Sequence, residues 1–273
     1  MTGTDEILYA AQDGIGRLTL NRPQARNALT FGMYQGLIDR CARIEAEADI
    51  KALIITGAGD KAFAAGTDIA QFRSFTSAQD AIDYERFMDR VMGALERLPV
   101  PTIAAIAGAC TGGGAAIAAA CDLRIATRDA RLGFPIARTL GNCLSLGNLR
   151  RLSSLIGPAR VKDMVFTARL VGAEEALAIG LIGEVVEDAE ALAVRATDLA
   201  TLMAGHAPLT LQATKEGLRR LQGEDAPGDE RPGDDLIRLC LHQRGFPRGH
   251  GGVPRQAPAG LDRTVGLSPA PPP

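Results

Sequence analysis

The stretch from Ala104 to Ala120, AAIAGACTGGGAAIAAA, constrains this chain more than any other. An Ala-rich strand pattern breaks at Gly112-Gly113-Gly114 and resumes as an Ala-rich helix pattern. Three glycines at a helix start let the backbone approach a ligand closely and turn N–H groups outward, where the helix dipole favours negative charge. Such a turn is a seat for a developing anion, although glycines between a strand and a helix also make plain turns. A second segment sharpens the reading. KAFAAGTDI, from Lys61 to Ile69, places small residues around another turn, after a β-branched strand pattern from Ala52 to Thr56 that ends at Gly57. Two separate turns that each offer a bare backbone N–H are what stabilising an oxyanion at a thioester carbonyl requires.

Three blocks, NRPQARNAL at Asn21 to Leu29, KAFAAGTDI, and AIAGACTGGGAAIAAACDLRIAT followed by LGFP, resemble the crotonase family, also called the enoyl-CoA hydratase/isomerase family. Their order and spacing match from Gly14 to Leu239. The resemblance implies an α/β fold, a crotonase-like spiral of ββα repeats with a C-terminal helical trimerisation region. It implies an acyl-CoA thioester as substrate, with CoA carried as part of that substrate and no further cofactor or metal. The backbone N–H groups of Thr67 and Gly113 become the oxyanion donors. The CoA nucleotide is expected against Arg22, Gln24, Ala25, Ala64, Gly66, Asp68 and Ile69, with further substrate contacts at Gly112, Ala116, Pro135 and Ile136. Asp68 reads equally as the N-cap of a short helix. Homotrimers, or trimers paired into hexamers, follow from the family.

The departure from the family is as informative as the match. Its hydratases resemble one another in two glutamates that hold a water and move its protons, a natural pairing of acid and base. Here those positions are Ala116 and Ile136, and neither transfers a proton. The segment after Pro135, IARTLGNCLSLGNLRRL, reads as a loop without carboxylate, histidine, lysine or tyrosine. Cys143 is its one residue whose ordinary pKa lies near neutrality, so it is the candidate base or nucleophile, with a packing role as the alternative. Three functions stay open: a weak enoyl-CoA hydratase, another crotonase reaction such as isomerisation, decarboxylation or thioester cleavage, and a non-catalytic acyl-CoA-binding subunit.

A chain of 273 residues with 46% hydrophobic content suits one large domain with a helical appendage. We divide it into a core over 1–190, a helical region over 191–240 and an irregular tail over 241–273. A net charge of -2 with no basic stripe argues against nucleic acid. The five cysteines form no CxxC pair, which argues against disulfides and structural zinc. The opening MTGTDEILYA lacks the features of a targeting signal, so the cytoplasm is expected. Ile103 to Cys121 is uncharged over about the length of a membrane span, but its small residues and Gly triplet read as buried strand, turn and helix, with no membrane partner.

Hydrophobic periodicity predicts strands at Gly14 to Leu20, Lys51 to Thr56, Thr102 to Ala107, Leu123 to Thr127 and Glu184 to Val186. Helices are predicted from Thr30, as cap, to Glu47, from Ala78 to Arg97, after the Gly turn, and at Pro158 to Thr167, Ala173 to Ile179, Asp188 to Ala204 and Pro208 to Leu221. Beyond Leu241 the Gly, Pro and Arg mixture has no apolar period and reads as irregular. Read one nucleotide later with permissible codons, it is compatible with STSEDFREGMEAFLAKRPPGWTGR, which is similar to the closing helix of crotonase relatives. We read this tail as out of frame, so its His242 and His250 are no candidates for bases or ligands.

Overall fold

The computed structural model describes residues 6–47, 49–139, 141–223 and 234–241. Its large sheet runs in the order β1 (Ile7–Gln12), β2 (Ile15–Leu20), β3 (Ala52–Gly57), β5 (Thr102–Ile106), β7 (Leu123–Thr127) and β10 (Glu184–Val186). A smaller sheet runs β4 (Ala62–Ala64), β6 (Ala109–Thr111), β8 (Arg131–Gly133) and β9 (Val171–Gly172). The first pair, β1 and β2, and the last, β8 and β9, are antiparallel; the other neighbours are parallel. Each of β3–β4, β5–β6 and β7–β8 sends its first strand to the large sheet and its second to the small one. The helices α1 (Phe31–Ala46), α2 (Ala78–Arg97) and α3 (Gly113–Ala120) alternate with these strands, which gives the ββα spiral the resemblance implies.

Side-chain alternation explains why both faces of the large sheet are covered. Leu53, Ile55, Ala104 and Ile106 point into the main core with α1, α2 and α3. Ala52, Ile54, Ile103 and Ala105 point the other way, against Leu192, Ala196 and Ala200 of α7 (Ala189–Ala204). The spacing from Leu192 to Ala200 is one helical stripe, and its two alanines, fully buried, let α7 lie close on the sheet. Parallel strands buried on both faces read as near-continuous apolar runs, as LIIT and TIAAI do here.

Helix starts follow their caps. Thr30 Oγ1 accepts the Met33 N–H at the head of α1, and Ser77 with Asp80 closes a capping box on α2. The segment after Pro135 departs from expectation. It is not one loop: Ile136–Thr139 forms a short helix, α4, and α5 (Leu146–Phe166) begins twelve residues before the predicted Pro158. Ser145 Oγ caps that start by accepting the Asn148 N–H at 3.2 Å. Gly157, with φ of 76°, kinks the helix before Pro158, so the kink reads in sequence as a beginning. The remaining helices are α6 (Ala173–Ala178), α8 (Pro208–Leu221) and α9 (Asp234–Leu241). The stretch Ile103 to Cys121 divides among β5, β6 and α3, and among the described residues no helix is long and apolar enough to cross a membrane. The tail beyond Leu241, with its reading in another frame, lies outside the described residues.

Candidate active site

The turn after β2 is held by Asn27. This fully buried side chain accepts the Arg22 N–H at 2.9 Å and donates to Ala58 O at 3.0 Å and Ala62 O at 2.7 Å. Its φ of 54° suits asparagine, which tolerates the left-handed region. Arg22 is equally committed. Its guanidinium bonds Ala28 O, Asp68 Oδ2 and Glu6 Oε1 at 2.6, 3.0 and 3.1 Å. Asp68 caps the 3-10 turn Ile69–Ser74 by accepting the Ala70 N–H at 3.0 Å. That N–H, with the Arg22 guanidinium, holds its carboxyl below the usual carboxylate range.

The two predicted turns meet. Gly66 and Gly112 have φ of 100° and 52°, conformations glycine alone adopts readily, and a Cβ on Gly112 would stand 3.5 Å from Gly66 Cα. Leu29 N–H donates to Gly66 O at 2.8 Å and Asp68 N–H to Leu29 O at 2.9 Å. The residues flanking Thr67 carry this bridge, so the Thr67 N–H faces away from Leu29. Gly113 opens α3, where the first N–H groups have no intrahelical acceptor. A Cβ on Gly114 would fall 2.4 Å from Ala64 O and 2.7 Å from Ala64 Cβ, so glycine is what lets β4 approach α3 this closely.

A cavity of about 180 Å³ opens beside these turns. Gly66, Thr67, Gly112 and Gly113 form one wall, and buried Ala116 and Ile136, with Pro135, form another that is apolar. The third wall comes from α2, through Tyr84, Glu85 and Met88. Cys143 also lines the cavity, but on an exposed stretch rather than in the apolar packing a loop cysteine suggests. Of the residues assigned to the CoA nucleotide, Gln24 is exposed, Ile69 is 64% exposed, Ala25 is half-buried and Ala64 is fully buried. None of these four lends a charge.

A chain of hydroxyls runs behind the Thr67 turn. Thr67 Oγ1 lies 2.8 Å from both the Tyr34 and the Tyr84 hydroxyl. Tyr34 is fully buried, and burial pushes its phenol well above its ordinary range. Burial likewise raises Tyr84. Both therefore stay neutral and serve as hydrogen-bonding groups. Phe72 packs edge-on against Tyr84, centroids 5.0 Å apart, and Phe31 lies 5.9 Å from it, which fixes the ring. Glu85 is half-buried, and burial first and the neighbouring Asp89 second hold its carboxyl above the ordinary range. Elsewhere burial pushes the Cys41 and Cys121 thiols up to about 12, so these are packing residues.

Sequence reasoning found the two turns and the apolar wall; it missed Tyr34, Tyr84 and Glu85. Their only signal is membership of two amphipathic helices, α1 and α2, in which they resemble any other boundary residue.

A family model described as enoyl-CoA hydratase/isomerase matches residues 10–227. The chain is 35% identical over 216 residues to the short-chain-enoyl-CoA hydratase of Clostridium acetobutylicum, covering 79% of this chain and 82% of that protein. It is 33% identical over 221 residues to the human mitochondrial Delta(3,5)-Delta(2,4)-dienoyl-CoA isomerase, covering 77% of this chain and 66% of the relative. A solved enoyl-CoA hydratase/carnithine racemase from Magnetospirillum magneticum superposes with a TM-score of 0.80 at 31% identity, covering 88% of each chain. With matching motifs, winding and relatives, the chain belongs to the enoyl-CoA hydratase/isomerase, or crotonase, family.

Proposed function

We propose that this chain binds an acyl-CoA thioester and stabilises its enolate by hydrogen bonds from the Thr67 and Gly113 N–H groups. The observation that supports this most directly is the apposition of the Gly66 and Gly112 turns, with Thr67 and Gly113 lining one cavity. The relatives named as acting on enoyl-CoA and dienoyl-CoA support the substrate class. Hydration is weak in this reading, because Ala116 and Ile136 stand where hydratases of the family have their acid and base. Each such group contributes about 10²–10⁴ in rate. Tyr84 and Glu85 give the cavity polar walls, which favours catalysis over a binding subunit. Assembly into trimers or hexamers remains part of this proposal on the resemblance alone.

Difference infrared spectroscopy of bound crotonyl-CoA tests it. Two aligned donors lower the thioester carbonyl stretch on binding. Saturable binding with an unshifted carbonyl refutes the enolate-stabilising role.

A further inference from the structure

We propose that Glu85 is the catalytic residue that takes and returns the substrate's proton, from the α2 wall of the cavity rather than from the walls of Ala116 and Ile136. The inference rests on the enolate-stabilising reading above. Among the described residues lining the cavity, Glu85 is the one carboxylate, and no histidine, lysine or arginine accompanies it. Its chain neighbour Tyr84 reaches the Thr67 side chain at 2.8 Å, which places this turn of α2 directly over the donor wall. The head of α5, at Ser145, lies beside the carboxylate and partly offsets the effect of burial and Asp89. Its charge is felt by both Tyr34 and Tyr84, whose ionisation it opposes. Burial and Asp89 make Glu85 a stronger proton acceptor than an exposed glutamate.

The chemistry closes with one carboxylate. The Cα–H bond breaks, its proton passes to Glu85, and its electron pair becomes the enolate whose oxygen accepts from Thr67 and Gly113. When the Glu85 carboxyl has swapped that proton for one from solvent, protonating Cα again gives exchange. When the substrate carries a β,γ double bond, delivering the proton to Cγ moves that bond into conjugation. Neither outcome adds water to the substrate or calls for an oxidant or a second acid. Hydration, which adds a water across the bond, is the reaction better served by a carboxylate pair.

The test follows deuterium entering Cα of butyryl-CoA in D2O by proton NMR, and conversion of 3-butenoyl-CoA to crotonyl-CoA by absorbance. Glu85→Gln, isosteric and uncharged, is expected to slow both about 10²–10⁴-fold with butyryl-CoA affinity retained. Glu85→Asp should exceed Gln. The acid limb of the exchange profile reports Glu85 itself. The groups that act on it are Asp89 on its own helix, the Tyr34 and Tyr84 phenols and the backbone of Ser145, while Asp89 is in turn bound by the Ser145 hydroxyl at 2.9 Å and approached by Arg151 Nη1 at 3.9 Å. Asp89→Asn removes a repulsive charge and should move that limb to lower pH. Exchange by Glu85→Gln at the wild-type rate overturns the proposal. So does a wild-type protein that lowers the bound carbonyl stretch yet exchanges no proton. A wild-type protein that binds with an unshifted carbonyl, yet loses exchange on Glu85→Gln, refutes the enolate reading and leaves the proton role of Glu85 standing.

Discussion

Removing a single backbone N–H at Gly113 separates the donor from everything around it, provided one collision is relieved first. An ideal Cβ at Gly113 falls only 2.0 Å from the Tyr34 hydroxyl and 3.2 Å from Thr67 Oγ1. Any side chain there therefore displaces the hydroxyl chain, and a lone Gly113→Pro variant would confound that displacement with loss of the donor. Tyr34→Phe removes the obstructing oxygen and leaves the ring carbon at 3.2 Å as the next contact. The informative comparison is between Tyr34→Phe with Gly113→Ala and Tyr34→Phe with Gly113→Pro. Both add a Cβ; only the second deletes the N–H. Proline is well suited to the first position of a helix, which Gly113 occupies. Gly112, at φ 52° and ψ -119°, sits in the mirror image of the extended conformation required before proline. Losing one oxyanion donor costs about 10²–10³ in kcat, or roughly 2.7–4 kcal/mol. The assay is deuterium exchange at saturating butyryl-CoA, with thermal melts to confirm equal folding. Equal rates in the two double variants would remove Gly113 from the site.

Introducing Ala116→Glu and Ile136→Glu together should raise hydration of crotonyl-CoA above the weak rate that the proposed function expects of the unaltered chain; an unchanged product rate means the cavity has been rebuilt rather than merely emptied. Thr67→Val keeps the backbone donor but leaves the buried Tyr34 hydroxyl without its 2.8 Å partner, so it should cost about 1–3 kcal/mol in urea unfolding, while Thr67→Ser costs little. Equal loss in both variants would show that the hydroxyl chain does not brace the turn.

Periodicity locates the long elements because each has a repeating apolar face and a cap. Pro208–Leu221 and Ala78–Arg97 coincide with their predictions at both ends, the latter bounded by Ser77 and Pro99. The three-residue strands β4, β6 and β8 are too short to show alternation, so half of every ββ pair was invisible. The true start of α5 lay behind the Gly157 kink, although Ser145 is an ordinary cap. At the site, the glycine turns were legible because their composition departs from any core pattern. Glu85 and Tyr34 were not, since their chemical meaning arises only when α1 and α2 fold over a turn from another repeat. A carboxylate at a helix boundary is normally solvated, and nothing local distinguishes one that faces a cavity.

The bonds of Asn27 alter what the NRPQARNAL block testifies to. Both polar atoms of that amide are spent inside the protein, binding the Arg22 turn to the carbonyls of residues 58 and 62, and Arg22 is tied to two carboxylates. The block thus operates as a latch that holds the turn after β2 against the segment after β3 and against Asp68. A phosphate arriving there must compete with Asp68 and Glu6 for the same guanidinium. The signature is a certificate of masonry, and the trade practised inside the room is written on the walls.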